Sequence, residues 1–154
     1  MWKKVHWIPA FSLLVLAISA WPAWTAASDD TRALVKLPEK MRTHMLANMR
    51  DHLMALEEML AALADGRADK AARIAEKRLG MSSLTSHGAA HMAPFMPKAM
   101  GAIGTGMHRA ASRFAIIARD AELDPAPDAQ RQVFRALQAI TENCNACHQA
   151  YRVQ

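Results

Sequence analysis

Two cysteines and a histidine near the C-terminus have the most specific chemistry in this sequence. Cys144 and Cys147 are the only cysteines among the 154 residues, and His148 directly follows the second. Residues three and four apart share one face of a helix, so both thiols and the imidazole would point the same way. The spacing C-x-x-C-H predicts one covalent c-type haem, with two cysteine thioethers and His148 on the iron.

Other uses of a cysteine pair fit the sequence less well. A thioredoxin-like redox site would require a surrounding βαβ pattern, which the sequence does not have. A structural zinc site usually takes four ligands in paired spacings, and only one such pair is present. A disulfide between residues three apart on a helix would have unfavourable geometry. These comparisons favour the haem interpretation.

The N-terminus has the pattern of a secretory signal. Lys3 and Lys4 are followed by an apolar stretch at residues 11–20, and small residues precede Ser28. This pattern predicts a signal peptide over residues 1–27, with cleavage before Ser28. Export also fits the haem interpretation, because c-type haem is attached outside the cytoplasm. The sequence therefore predicts a periplasmic protein.

The alternative for the N-terminus is an uncleaved membrane anchor. Residues 7–24 are nearly all apolar, but this run is at the short limit for a bilayer span and contains Pro9 and Pro22. Cleavage is the favoured interpretation, and it predicts no stable membrane span in the mature protein.

The mature chain, residues 28–154, has the length of one domain. Loss of Lys3 and Lys4 lowers the formal net charge from +5 to +3, and two haem propionates would offset most of the remainder. Because no run of Lys or Arg is present, the composition does not favour nucleic-acid binding. All four tryptophans precede residue 28, so few large rings remain to fill a core. A porphyrin would supply such an apolar body.

Apolar periodicity and breaking residues predict four helices, over about residues 38–64, 68–79, 98–123 and 128–152. The intervening segment 81–97, which is rich in Ser, Gly and Pro, is expected to be mainly a connection. Asp128 is the expected N-cap of the last helix. The predicted fold is therefore an all-α, antiparallel four-helix bundle.

The first and last predicted helices each have an apolar stripe that should face the interior. In the last helix the stripe runs through the haem motif, which predicts that the haem lies inside the bundle. Its members are Val133, Leu137, Ile140, Cys144, Cys147 and Tyr151. The stripe of the first helix comprises Met41, Met45, Met49, Leu53, Leu56, Met59, Leu60 and Leu63.

With these features the chain resembles the class II c-type cytochromes, the cytochrome c-prime family, over about residues 37–153. The family motif C-x-x-C-H-x-x-aromatic-Arg is matched because Tyr151 and Arg152 follow His148 at the same spacing. The resemblance implies a periplasmic electron carrier with one haem and a redox partner protein. It also implies that Arg152 lies near a propionate or the haem edge. Since c-prime relatives often pair through their first two helices, a homodimer is a further expectation.

The family divides by what the first helix places opposite the proximal histidine. In low-spin members a methionine binds the iron there, and the equivalent position here is Met49 or, one turn earlier, Met45. His52 and His44 are rival ligands, although His44 is expected to be a solvated surface residue. Methionines at this spacing also commonly fill cores, so simple packing remains an alternative for both thioethers.

Two further functions remain open in the sequence. The first is a five-coordinate haem protein that binds nitric oxide or carbon monoxide, which the resemblance also allows. The second is copper handling, because His87, His91, Met92 and Met96 concentrate imidazole and thioether groups in one segment. No set of residues indicates a catalytic acid, base or nucleophile, so enzyme activity is not predicted.

Overall fold

Helices account for most of the residues that the structure, a computed structural model, describes; these are residues 30–124 and 126–154. The helices are α1 (Glu39–Ala64), α2 (Ala68–Arg78), α3 (Ala89–Met92), α4 (Lys98–Leu123) and α5 (Ala129–Ala150). The four long ones begin and end within two residues of the predicted bounds. This composition confirms the all-α class. The predicted signal peptide, residues 1–27, lies outside the described residues.

Local sequence explains several helix ends. Pro38 and Pro97 occupy the N-cap positions of α1 and α4, where a missing backbone N–H is tolerated. Gly66 follows α1 with φ at +69°, a conformation that only glycine adopts without strain. Asp128 does precede α5, but its side chain does not cap the helix; its carboxylate accepts a hydrogen bond from the Gln132 side chain at 2.8 Å.

Two short strands join the ends of the described chain. Strand β1 (Ala33–Val35) pairs in parallel with β2 (Tyr151–Val153), and Ala33 lies opposite Tyr151. The last predicted helix therefore ends at Ala150 rather than at residue 152. Strand β1 supplies hydrogen-bond partners for the backbone of residues 151–153. Because these partners are more than 100 residues away in the chain, no local sequence pattern predicts the strand.

Helix α4 is the central packing element, because it contacts both α2 and α5, and α1 packs in turn against α2. Three alanines on α2, Ala71, Ala72 and Ala75, are fully buried in the main core. Their small side chains let the neighbouring helices approach closely. Phe114 on α4 is the largest of the fully buried side chains. The main core is thus built around one ring and many small or flexible residues.

The buried face of α1 differs from the predicted stripe. Leu53 and Leu60 are 69% and 49% exposed, whereas His52, Ala55 and Ala62 are buried. The helix is apolar on more than one side, so periodicity alone did not identify the face that packs. The alanines of α2 favour the side of α1 that carries Ala55 and Ala62, because small residues on both helices permit close contact.

The segment between α2 and α4 is more ordered than the predicted connection. It contains α3 and two single 3-10 turns, Met81–Ser83 and Ala93–Phe95. Gly88 begins α3 with φ at +64°, and a Cβ there would lie 2.9 Å from Nε2 of His44. This segment carries Met92, which is buried in a second apolar cluster with Met45 and Met100.

Within the described ranges, no helix combines the length and the apolar character needed to cross a bilayer.

We expect Phe114→Ala to lower the free energy of unfolding by about 3–5 kcal/mol, because it removes the largest fully buried side chain of the described residues. Phe134→Ala is the matched control, since that ring is 48% exposed and its loss should cost about 1 kcal/mol or less. Denaturant unfolding of both variants measures the difference. Equal losses would contradict the central role of Phe114.

Candidate functional site

A cavity of about 730 Å³ lies among α1, α4, α5 and the segment that contains α3. This volume is in the range of small-molecule and cofactor sites. Its walls are largely apolar, and its wall residues include six methionines. These are Met45, Met49, Met92, Met96, Met100 and Met107.

The C-x-x-C-H residues of α5 form one wall of this cavity. Cys144 and Cys147 are half-buried free thiols, and they line the cavity together with His148, which is otherwise exposed. Cys144 packs against the main core and Cys147 against the second cluster. The motif therefore spans the boundary between the two apolar clusters.

The environment of the two thiols does not activate them. Burial raises the pKa of Cys144 and of Cys147, and for Cys147 the neighbouring Cys144 adds to the effect. Reactive redox cysteines have the opposite property, a lowered pKa beside cationic groups. This contrast supports the view that the pair is not a thioredoxin-like site.

Two glycines make the α4 wall flat where it faces the cavity. Gly101 and Gly104 both line it, and a Cβ at either position would meet no atom within 4 Å. Glycine inside a helix costs up to about 1 kcal/mol relative to alanine, so these positions weaken α4 locally. Their position leaves room for a flat apolar body against the helix backbone.

The charged side chains in the described cavity wall are all positively charged. Arg32, Lys98 and Arg152 line the cavity, and no Asp or Glu is among its described wall residues. Arg32 also donates to the carbonyl oxygen of His148 at 3.3 Å, which gives a partner to one of the last carbonyls of α5. A large apolar ring with carboxylate substituents, as in haem, fits this combination of apolar walls and cationic groups.

The methionines predicted as iron ligands both lie on the α1 wall. Met45 is buried within the second cluster, against which Cys147 also packs, whereas Met49 is half-buried. Arg152, predicted near a propionate or the haem edge, lies on β2 and lines the cavity. Cys144, Cys147, His148, Met45, Met49 and Arg152 thus surround one cavity.

Three of the four residues considered for copper lie in the cavity wall. His87, Met92 and Met96 line the cavity, but His91 is exposed and is not part of its wall. Among residues 30–124 and 126–154, no group of three or more His, Cys, Asp or Glu side chains is arranged to hold a metal ion. Three of the four residues named from the sequence thus line one cavity, and His91 does not.

Sequence reasoning missed a cluster of three histidines in the cavity wall. The ring centroids of His52 and His87 are 4.8 Å apart, those of His87 and His108 are 5.4 Å apart, and those of His52 and His108 are 6.0 Å apart. The three rings come from α1, from the segment before α3 and from α4. The signal in the sequence was the number of histidines, but nothing local indicated that these three would meet.

Hydrogen bonds fix the position of this histidine cluster. Nδ1 of His108 donates to the carbonyl oxygen of Leu79 at 2.7 Å, and the Ser83 hydroxyl lies 3.4 Å from Nδ1 of both His108 and His87. His44, expected to be solvated, is instead half-buried and donates through Nε2 to the carbonyl oxygen of His87 at 2.8 Å. The segment before α3 is thereby held against α1 and α4.

Burial and repulsion from neighbouring histidines disfavour protonation of two rings of the cluster, His52 and His87. Burial lowers the pKa of His52 to about 4, and His87 and His108 contribute to the shift. The pKa of His87 is also lowered, chiefly by burial. Nearby, Arg78 forms a hydrogen bond with the carboxylate of Asp51 and holds its pKa below the ordinary value. Arg78 also pairs with Glu58 at 2.7 Å, so it links α2 to α1 beside the cluster.

We expect the free energy of unfolding to fall as the pH decreases from about 6.5 to about 4. Over this range His52 binds a proton in the unfolded chain but not in the folded one, so acid favours unfolding. The full effect is on the order of 3 kcal/mol, at about 1.4 kcal/mol for each pKa unit. Denaturant unfolding at several pH values measures it.

The variant His52→Gln should remove much of this pH dependence, whereas His91→Gln, at an exposed position, should leave it unchanged. An unchanged pH dependence in His52→Gln would show that other groups cause the loss of stability in acid.

Comparison with known proteins does not identify the chain. No family model matches it, and neither a curated protein nor a solved structure matches it. A functional assignment therefore rests on the sequence motif and on the geometry of the cavity.

Proposed function

We propose that this protein is a periplasmic c-type cytochrome that transfers electrons through one covalent haem, similar to the cytochrome c-prime family. The observation that carries the proposal is the position of Cys144, Cys147 and His148 along one wall of an apolar cavity of about 730 Å³. A C-x-x-C-H motif on a surface helix without such a cavity could not bury a macrocycle.

In this proposal the haem supplies the one-electron redox chemistry, and the chain controls its surroundings. Cys144 and Cys147 provide the thioethers, and His148 is the proximal iron ligand. The hydrogen bond from Arg32 to the carbonyl oxygen of His148 helps to hold the end of α5 in place. The methionine walls exclude water, and burial of the redox centre is one of the factors that set its potential.

The cationic groups of the cavity wall have a role in the same proposal. Arg32, Lys98 and Arg152 would neutralise the haem propionates, and charge-assisted hydrogen bonds to carboxylates are the stronger kind. Without a carboxylate among the described wall residues, the two acidic groups of the cofactor would meet no like charge from the wall.

The second axial ligand in this proposal is Met45 or Met49. Burial favours Met45, because it belongs to the cluster against which Cys147 packs, and a thioether held by packing loses less entropy on binding. Met49 lines the same cavity but is only half-buried. Thioether ligation would raise the haem potential relative to a more basic ligand.

Covalent attachment is tested directly by mass and by solvent extraction. Expressed in a host with haem-attachment machinery, the wild-type protein should gain the mass of one haem and keep its colour in acidified acetone. The double variant Cys144→Ala, Cys147→Ala should lose both properties. Asn145→Ala, at the exposed position between them, is the matched control and should retain the haem. A colourless wild-type protein would refute the proposed function.

The axial ligand is tested by absorption spectra of the ferric and ferrous forms. We expect Met45→Ala to convert low-spin iron to a high-spin form that binds carbon monoxide, and Met49→Ala to have the smaller effect. Met54→Ala, which is on the same helix but 58% exposed, should leave the spectrum unchanged. If the wild-type iron is already high-spin and binds carbon monoxide, the gas-binding function replaces electron transfer.

A further inference from the structure

The exposed residues of the cavity wall show where the cavity meets solvent, and we call this region the cavity mouth. Six of the described wall residues are exposed, and three of these are cationic. The six are Arg32, Ala93, Pro97, Lys98, His148 and Arg152. Since His148 is the proposed proximal iron ligand, the proposed haem would lie close to the surface at the cavity mouth.

Positive charge is concentrated in the part of the chain that contains the cavity wall. All described wall residues fall within residues 31–52, 78–110 and 140–154, which we call the cavity half. The cavity half has nine Lys and Arg residues but only three carboxylates, Glu39, Asp51 and Glu142. The remaining residues, 53–77 and 111–139, have eight Lys and Arg against nine Asp and Glu. The charge of this chain is therefore unevenly distributed along the bundle.

The proposed haem does not cancel this excess of positive charge. Its two propionates would add two carboxylates to the cavity half. Even if Asp29 and Asp30, which precede the first range in the sequence, are counted as well, the nine cations outnumber all of these carboxylates. In the other half, cations are paired locally: Arg67 with Asp65 and Arg73 with Asp69. The surplus of cations is thus confined to the cavity half.

An exposed aromatic ring lies beside the cationic groups of the cavity mouth. Phe95 is 43% exposed and lies in the chain between Ala93 and Pro97, two residues of the cavity mouth. Pro94 is exposed as well, so this segment presents a small apolar surface next to Lys98. Protein–protein interfaces combine apolar centres, often aromatic, with a polar rim. The cavity mouth and Phe95 together have this composition.

We propose that the cavity mouth and Phe95 form the docking surface for the redox partner, and that this partner is a protein with a carboxylate-rich surface. This inference rests on the proposed function. Electrons enter and leave at the cavity mouth, because transfer slows steeply with distance and the haem is nearest to solvent there. Opposite charges on the two proteins speed their encounter and align them, and Phe95 adds a small apolar contact.

The charge at the site of electron entry is tested by stopped-flow reduction of the ferric, haem-loaded protein. Two small reductants of opposite charge are compared, the anionic iron(II)–EDTA complex and the cationic hexaammineruthenium(II) complex. We expect added salt to slow reduction by the anion and to accelerate reduction by the cation, because salt screens both attraction and repulsion. Rates that do not depend on salt with either reductant would overturn the inference while leaving the proposed function intact.

Two charge-reversal variants distinguish the cavity mouth from the net charge of the protein. Lys98→Glu should slow reduction by iron(II)–EDTA at low salt about threefold or more, because it reverses a charge beside the site of electron entry. Lys70→Glu alters the net charge equally, but it lies in the other half of the chain and should leave the rate nearly unchanged. Lys98 begins α4, where Glu is favoured, so the variant should fold. Equal effects of the two variants would overturn the inference.

A measurement on the wild-type protein avoids dependence on the variants. Poly-L-glutamate is the probe for a carboxylate-rich surface, and its binding to the reduced, haem-loaded protein is followed by amide ¹⁵N NMR at low salt. We expect the resonances of Phe95 and Lys98 to shift more than those of Phe134 and Lys70. Phe134 is the matched control for the ring, because it is 48% exposed but lies in the other half of the chain. Shifts of similar size at both pairs, or none at Phe95 and Lys98, would contradict the proposed docking surface.

Vesicles of phosphatidylglycerol distinguish a protein partner from an anionic membrane. We expect the haem-loaded protein not to sediment with these vesicles at physiological salt, because stable membrane binding requires a larger apolar surface than one ring and its neighbours provide. Sedimentation that Lys98→Glu abolishes would assign the cavity mouth to a membrane surface and overturn the inference of a protein partner. A protein without covalent haem would instead refute the proposed function.

Discussion

Close packing of α4 against α2 and α5 is the constraint on which the other features depend. Small residues on α2 and the fully buried phenyl ring of Phe114 let these helices form a dense core. Toward the N-terminal end of α4 the helices enclose a cavity of about 730 Å³, whose wall includes six methionines and two glycines. Helix α4 therefore has two roles. Its C-terminal half packs in the core through Phe114, and its N-terminal half forms a flat part of the cavity wall at Gly101 and Gly104.

The two ends of the described chain are joined beside the C-x-x-C-H motif. Strand β2 follows α5 directly and pairs with β1, and the adjacent Arg32 donates to the carbonyl of His148. The C-terminal end of a helix has unpaired carbonyls and tends to fray, so these contacts restrict the last turn of α5. A rigid end of α5 would matter for the proposed haem, which Cys144, Cys147 and His148 of that helix would hold.

The histidine cluster shows how a polar group is accommodated beside an apolar cavity. The carbonyl of Leu79 and the hydroxyl of Ser83 form hydrogen bonds with His108 and His87, and His52 contacts His87, so these bonds replace hydrogen bonds to water. The ion pairs of Arg78 with Asp51 and Glu58 lie beside the cluster and bind α2 to α1. Together they position the segment before α3, which has few apolar side chains of its own to hold it in place.

The sequence by itself determined the helices and the chemistry of the motif. Both are local properties: apolar spacing and prolines define α1 and α4 to within a residue, and C-x-x-C-H is contained in one helical turn. The tertiary structure decided which face of α1 is buried, that residues 151–153 form a strand, and that His52, His87 and His108 meet. Each of these depends on contacts between segments far apart in the chain. Such contacts are selected by the packing of whole helix surfaces, and no local pattern of residues records them.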